Sequence, residues 1–161
     1  MFQPDENGIY AVVHASAARR LFAYGVLFAL GALVLYTALA RPPEIGWLVF
    51  MLCFGIGALW LAERLRRATR LSIILTETEL RDSSGMLLAS MNDIKAVNRG
   101  AFAFKPSHGF TLVLQNKRPR GWAPGLWWRL GRRVGVGGVT SAGQAKFMAE
   151  QIALRVAKRA D

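Results

Sequence analysis

Two long apolar runs dominate the first third of the chain, and an alternation of apolar and polar residues replaces them further on. Leu21–Ala40 holds twenty residues without a charge, and Ile45–Ala62 holds eighteen more. An α-helix rises about 1.5 Å per residue, so roughly 20 such residues cross the hydrocarbon of a bilayer. Only Arg41, Pro42, Pro43 and Glu44 separate the runs, which leaves room for a tight reversal. The pattern predicts a transmembrane helical hairpin over residues 21–63. No Asp, Glu, Lys, Arg or His lies inside either run, which argues against an ion or proton pathway through this chain. Gly25, Gly31, Gly55 and Gly57 mark expected points of close backbone approach. Trp47 and Trp60 sit near opposite ends of the second run, as interfacial anchors do.

After Arg70 the period becomes two. Leu71, Ile73 and Leu75 alternate with Ser72, Ile74 and Thr76, which predicts a strand. Asp82-Ser83-Ser84-Gly85 is turn chemistry between Leu80-Arg81 and the apolar run Met86–Ser90, so a hairpin is expected there. Ile94–Val97 and Ala101–Phe104 read as further strands, broken at Asn98-Arg99-Gly100. Phe110, Leu112 and Leu114 alternate with Thr111, Val113 and Gln115, and that strand is expected to stop at Asn116-Lys117. Val134–Val139 returns to a strand-like pattern. Ser141-x-x-Gln144 has capping-box spacing and starts a helix to about Arg159. On that helix Ala145, Met148, Ala149, Ile152 and Val156 share one face, with Phe147 and Leu154 roughly opposite. Short, closely spaced strands point to an antiparallel sheet, not to βαβ units. Residues 1–20 read as an exposed lead-in, with Ile9–Val13 forming either a short strand or an interfacial segment.

Charge then orients the hairpin. The chain carries 21 Lys+Arg against 10 Asp+Glu, a formal +11. Arg19 and Arg20 precede the first run, and Arg64, Arg66, Arg67 and Arg70 follow the second, against Arg41 alone in the short loop. By the positive-inside rule both termini are expected in the cytoplasm. Ala38-Leu39-Ala40 and Arg19-Arg20 imitate processing signals, but a secretory apolar region runs only about 7–15 residues, so a retained span is expected. Residues 71–161 are left for one small domain, large enough for a single core but not for an extensive active-site cavity.

Between Asp93 and Glu150 the sequence has no acidic residue and ten basic ones. Within this stretch, residues 117–133 (KRPRGWAPGLWWRLGRR) interleave Lys117, Arg118, Arg120, Arg129, Arg132 and Arg133 with Trp122, Trp127 and Trp128. Each basic residue near an anionic leaflet contributes about 1 kcal/mol, and indole rings favour the headgroup region. These nine residues are therefore the candidate site, read first as lying on anionic lipid. Completion of the soluble core by the tryptophans and docking onto a membrane complex are the two other readings. Nucleic acid is not expected as a partner, because no recognition motif accompanies the basic stretch.

Catalytic constellations are missing from the sequence. His14 and His108 are far apart, Cys53 lies mid-span, and Asp82 and Asp93 bracket turns. Gly135-x-Gly137 lacks the third glycine of a dinucleotide fingerprint. Gly138-x-x-x-x-Gly143 lacks the Lys and Ser/Thr of a P-loop. No enzyme, metal or cofactor is expected.

The order of a small antiparallel sheet, a basic excursion, a last strand and a closing helix behind paired spans resembles the bacterial pleckstrin-homology-like (PH-like) membrane proteins. The resemblance covers about residues 71–157 and rests on Thr76…Leu80, Asp82…Gly85, Asp93-Ile94 and the C-terminal helix. It implies a half-barrel plugged by that helix, a scaffolding role without catalytic residues, and residence in the bacterial inner membrane. The fold class expected is thus a membrane α-helical hairpin plus a small cytoplasmic α+β domain. The function expected is that of an accessory or assembly protein bound to anionic lipid and to a membrane complex, or alternatively of a self-assembling scaffold (a homo-oligomer).

Overall fold

The computed structural model describes residue 5, residues 8–98 and residues 108–160. The strand expected at Ala101–Phe104 and the break at Arg99-Gly100 lie outside the described residues. The element order is β1 (Ile9–His14), α1 (Ala17–Ala40), α2 (Ile45–Ala68), β2 (Ser72–Thr76), β3 (Glu79–Asp82), β4 (Leu87–Ser90), a 3-10 turn (Met91–Asp93), β5 (Ile94–Asn98), β6 (Phe110–Ala123), β7 (Trp127–Val136) and α3 (Ala142–Ala160).

Both apolar runs are helical, and both helices are long and apolar enough to cross a membrane. Only 11% and 17% of their most apolar windows are buried, so the rest of the described chain leaves most of their apolar surface uncovered. Leu21, Phe22, Leu33, Ile45, Phe50 and Ile56 are all exposed on them. The helices cross at Gly31 and Gly55, where an added Cβ at Gly31 would lie 3.0 Å from the Gly55 carbonyl oxygen. Gly25 and Gly57 face open space instead, so only two of the four glycines expected at the contact are there. Sequence shows a glycine's position along a helix, but not which face it shares with the neighbouring helix.

The remaining elements form two antiparallel sheets, ordered β1-β2-β3-β4 and β5-β6-β7. The alternation read from sequence is kept in β2, where Ile73 and Leu75 are fully buried. With Leu80, Leu88, Ile94, Phe110, Leu112 and Leu114 they form one core between the sheets. Helix α3 closes it with Ala145, Met148, Ala149 and Ile152, the face its period predicted. Each large side chain so buried contributes about 1.5–3 kcal/mol. The helix is also fastened by arginines. Arg155 lies 3.5 Å over the Tyr10 ring and donates to the Thr76 carbonyl, while Arg159 donates to the carbonyls of Met91 and Ile94.

Four local expectations are corrected. Residues 9–14 are a strand, one of the two readings offered for Ile9–Val13, and so not part of an exposed lead-in: β1 pairs with β2 from Ile9↔Thr76 to His14↔Ser72, and Val13 is fully buried. Its alternation is hidden in the sequence because Tyr10 and Val12, between the buried positions, are also apolar. The capping box does not form: Gln144 Oε1 accepts from the His14 N–H, and the Ser141 N–H donates to the His14 carbonyl. The start of α3 is thereby tied to the end of β1. Phe147 packs against the core, leaving Leu154 as the exposed apolar residue of that helix's outer side. Strand β6 does not stop at Asn116-Lys117. It runs on to Ala123, so the basic-aromatic segment is the far half of the β6–β7 hairpin, not an excursion between strands.

Candidate lipid- and partner-facing site

The β6–β7 hairpin is bent, and the bend decides where the nine candidate residues lie. Its register shifts between Val113 and Arg118 and again between Arg118 and Gly121. Gly131, at φ 59°, supplies the left-handed residue that such a bulge needs. Beyond the bend the hairpin curls back over its own base. Gly137 and Val139 donate to the carbonyls of Leu126 and Gly125, which returns the tip to the end of β7.

The tip rests on α2. A Cβ at Gly125 would fall 2.7 Å from Leu65 and 3.3 Å from Thr69. The Arg64 guanidinium lies 5.4 Å from the Trp60 ring centroid and 5.7 Å from that of Trp122. One cation thus links the last apolar turn of α2 to the hairpin. The start of α1 is fixed to the same region, through Ser16 N–H to the Val139 carbonyl and Arg19 to the Thr140 carbonyl.

The curl divides the candidates. Trp127 faces inward: it is buried, lies over Gly121 and donates from Nε1 to Asp82 at 3.3 Å. Asp82 also accepts from the N–H groups of Ser84 and Met86, holding the β3–β4 turn as its sequence context predicted. Arg129 is buried as well, and donates to the carbonyls of Pro119, Leu87 and Leu88. Burial pulls its guanidinium below the ordinary arginine range, and Arg118 acts in the same direction. Trp127 therefore works inside the domain, as the core reading has it, whereas Arg129 is held there through Nε and Nη1 while still reaching the open surface at the hairpin tip.

Arg118 is half-buried and pairs with Asp93 at 3.1 Å. Asp93 does more than bracket a turn: its carboxylate reaches β6, accepting from the backbone and side-chain N–H groups of Asn116. Burial pushes the Asp93 carboxyl up. The hydrogen bonds from Arg118 and Asn116 outweigh it and hold the group below the usual range. Trp128 is half-buried against Gly135. Lys117, Arg120, Trp122, Arg132 and Arg133 are exposed.

Arg64, Arg120, Gly121, Trp122, Trp128, Arg129 and Leu130 line an open groove at the hairpin tip. Lys117, Arg132 and Arg133 lie outside it, at the bend. The sequence reading missed Arg64 as a site residue, counting it only among the charges that flank the span. Its place two residues beyond the second apolar run was the available signal. Among the described residues no group of three His, Cys, Asp or Glu side chains comes together to hold a metal ion.

Comparison with protein-family models, curated proteins and solved structures finds no significant match to this chain.

Proposed function

We propose that this chain is a non-catalytic accessory or assembly protein of the bacterial inner membrane. Its two apolar helices span the bilayer, and its sheets and α3 form a PH-like cytoplasmic domain that binds anionic headgroups and a partner membrane complex. One observation carries the reading: Arg64 sits between Trp60 and Trp122. Trp60 belongs to the end of the apolar helix, at the depth where indoles favour headgroups. Trp122 therefore brings the basic hairpin tip to the same level, where arginines meet lipid phosphates.

Two further observations support it. Strand β1 precedes α1, β2 follows α2, and the two pair, so both outer ends of the helical hairpin belong on one side of the membrane. The arginine excess makes that side the cytoplasm. Two antiparallel sheets of four and three strands with a C-terminal helix packed against them suit the PH-like reading, with β1 supplying a strand from ahead of the spans.

Self-assembly into a scaffold is the second reading. It is favoured by Gly25, Gly46 and Gly57, which face open space on the helices and would let a second copy approach closely. Crosslinking in native membranes, followed by mass analysis of the intact complex, separates the two. A heteromeric species supports the accessory role, and a homomeric ladder supports the scaffold. A C-terminal reporter active in the periplasm overturns the topology on which both rest.

A further inference from the structure

Arg129 is 8% exposed, and among the described residues it has no carboxylate partner. Its Nε and Nη1 are occupied by main-chain carbonyls, but Nη2 donates to no atom among the described residues. Nη2 is not closed off from the surface, so this nitrogen is the part of the otherwise fixed guanidinium that can reach a ligand in the groove. Residue 121 is a glycine, and a Cβ there would press on the Trp127 ring at 2.9 Å and come into ordinary contact with Nη2 at 3.5 Å. Arg129 lines the tip groove, about 530 Å³ in volume, beside Arg64 and Arg120. Among the described residues no Asp or Glu lines it, so three guanidinium groups share one groove there without a counter-charge. Trp122 and Leu130, 47% and 56% exposed, form its apolar part.

We propose that this groove is a discrete binding site for the phosphate of an anionic phospholipid headgroup, with Arg129 as its buried donor and Arg64 and Arg120 as flanking cations. The inference rests on the membrane reading above. Free guanidinium groups such as those of Arg64 and Arg120 match phosphate oxygens in bidentate geometry, and Arg129 adds a single donor nitrogen, Nη2. The choice of a lipid over a free anion follows from the rim: Trp122 and Leu130 add apolar surface that suits a glycerol and acyl chain. Arg64, two residues past the apolar run, sets the groove at headgroup depth.

The test uses the full chain in detergent, with phosphatidylglycerol or phosphatidylcholine titrated in and bound lipid counted by native mass spectrometry. One phosphatidylglycerol should be held in preference to phosphatidylcholine. Arg64→Gln with Arg120→Gln should weaken it about thirtyfold. Arg132→Gln with Arg133→Gln removes the same charge outside the groove and should change affinity less than about threefold. Should the first pair lower the melting temperature, Arg120→Gln alone, whose side chain is exposed, should still cost about fivefold. Equal losses from both pairs would leave the membrane reading standing and sink the groove. Equal retention of the two lipids by the wild-type chain would sink both. Inorganic phosphate that binds with the same Arg64 and Arg120 dependence, where phosphatidylglycerol does not bind, would overturn the lipid assignment.

Discussion

Trp128 fills the space that a side chain at Gly135 would occupy, although the two residues stand seven positions apart on one strand. Seven residues of extended strand cover about 23 Å, well beyond the reach of an indole. Strand β7 must therefore fold back on itself, and Gly131 lies between the two residues. Gly135→Ala sets a methyl group against the Trp128 ring and should cost about 1–3 kcal/mol. Thermal melting should show that loss, and Gly135→Ala combined with Trp128→Ala should lose less than the sum of the single changes. Strict additivity would mean that the ring does not rest on residue 135.

Arg129 and Arg132 lie three positions apart in the same basic run, yet they should behave oppositely. Arg129→Gln strips hydrogen bonds from the Pro119, Leu87 and Leu88 carbonyls and should destabilise by about 2–4 kcal/mol. Arg129→Lys should rescue little, because one ammonium cannot reproduce the fork. Arg132→Gln should stay within about 0.5 kcal/mol of wild type. Limited proteolysis of the three variants measures this, and equal resistance for Arg129→Gln and Arg132→Gln would contradict the buried placement.

Asp93 gives the fold a defined acid response. Its carboxyl titrates below the usual range in the folded chain. Its stabilising contribution is therefore complete above the unfolded carboxyl value of about 3.9, and it fades as pH falls through the lower folded value. Asp93→Asn should cost about 2 kcal/mol at neutral pH, with the gap from wild type closing only in acid. A gap in melting temperature that narrows between pH 8 and pH 5 (well above both values) would show that another group is responsible.

Removing residues 1–14 should unfold the domain even though both helices and residues 71–161 remain. It exposes the β2 edge, takes Val13 from the core and frees the start of α3. With Cys53 replaced by alanine, His14→Cys and Ser72→Cys should form a disulfide on oxidation, since paired strands bring their Cα atoms within about 4.5–5.5 Å. Normal protease resistance in the truncated chain, together with no crosslink, would rule out the β1–β2 pairing.

What the sequence revealed was local. The two helices, the Ile73 and Leu75 alternation, the Asp82 turn and the Ala145, Met148 and Ile152 face all follow from patterns within a dozen residues. Strand β1 was obscure because its partner lies beyond both helices, and because Tyr10 and Val12 blur the alternation. The candidate site was legible as a composition and not as a surface. Nothing in KRPRGWAPGLWWRLGRR distinguishes the inward Trp127 and Arg129 from the outward Trp122 and Arg120, because a bend at Gly131 and contact with α2 sort them. For Arg64 the sequence offers only its place just past the second span, because its partner ring arrives from a strand 58 positions later.

A sheet whose first two strands flank a helical hairpin also acts as a check on how that hairpin was threaded. During synthesis β1 emerges first and must wait for its neighbour until both helices have been made, a long loop to close. In a bilayer, a chain with only one helix inserted would strand β1 and β2 in different compartments. The sheet would then lack an edge, α3 would lose its anchor at His14, and Ile73 and Leu75 would face water. Such chains would be marked for proteolysis by their own incompleteness, so only correctly threaded copies would persist.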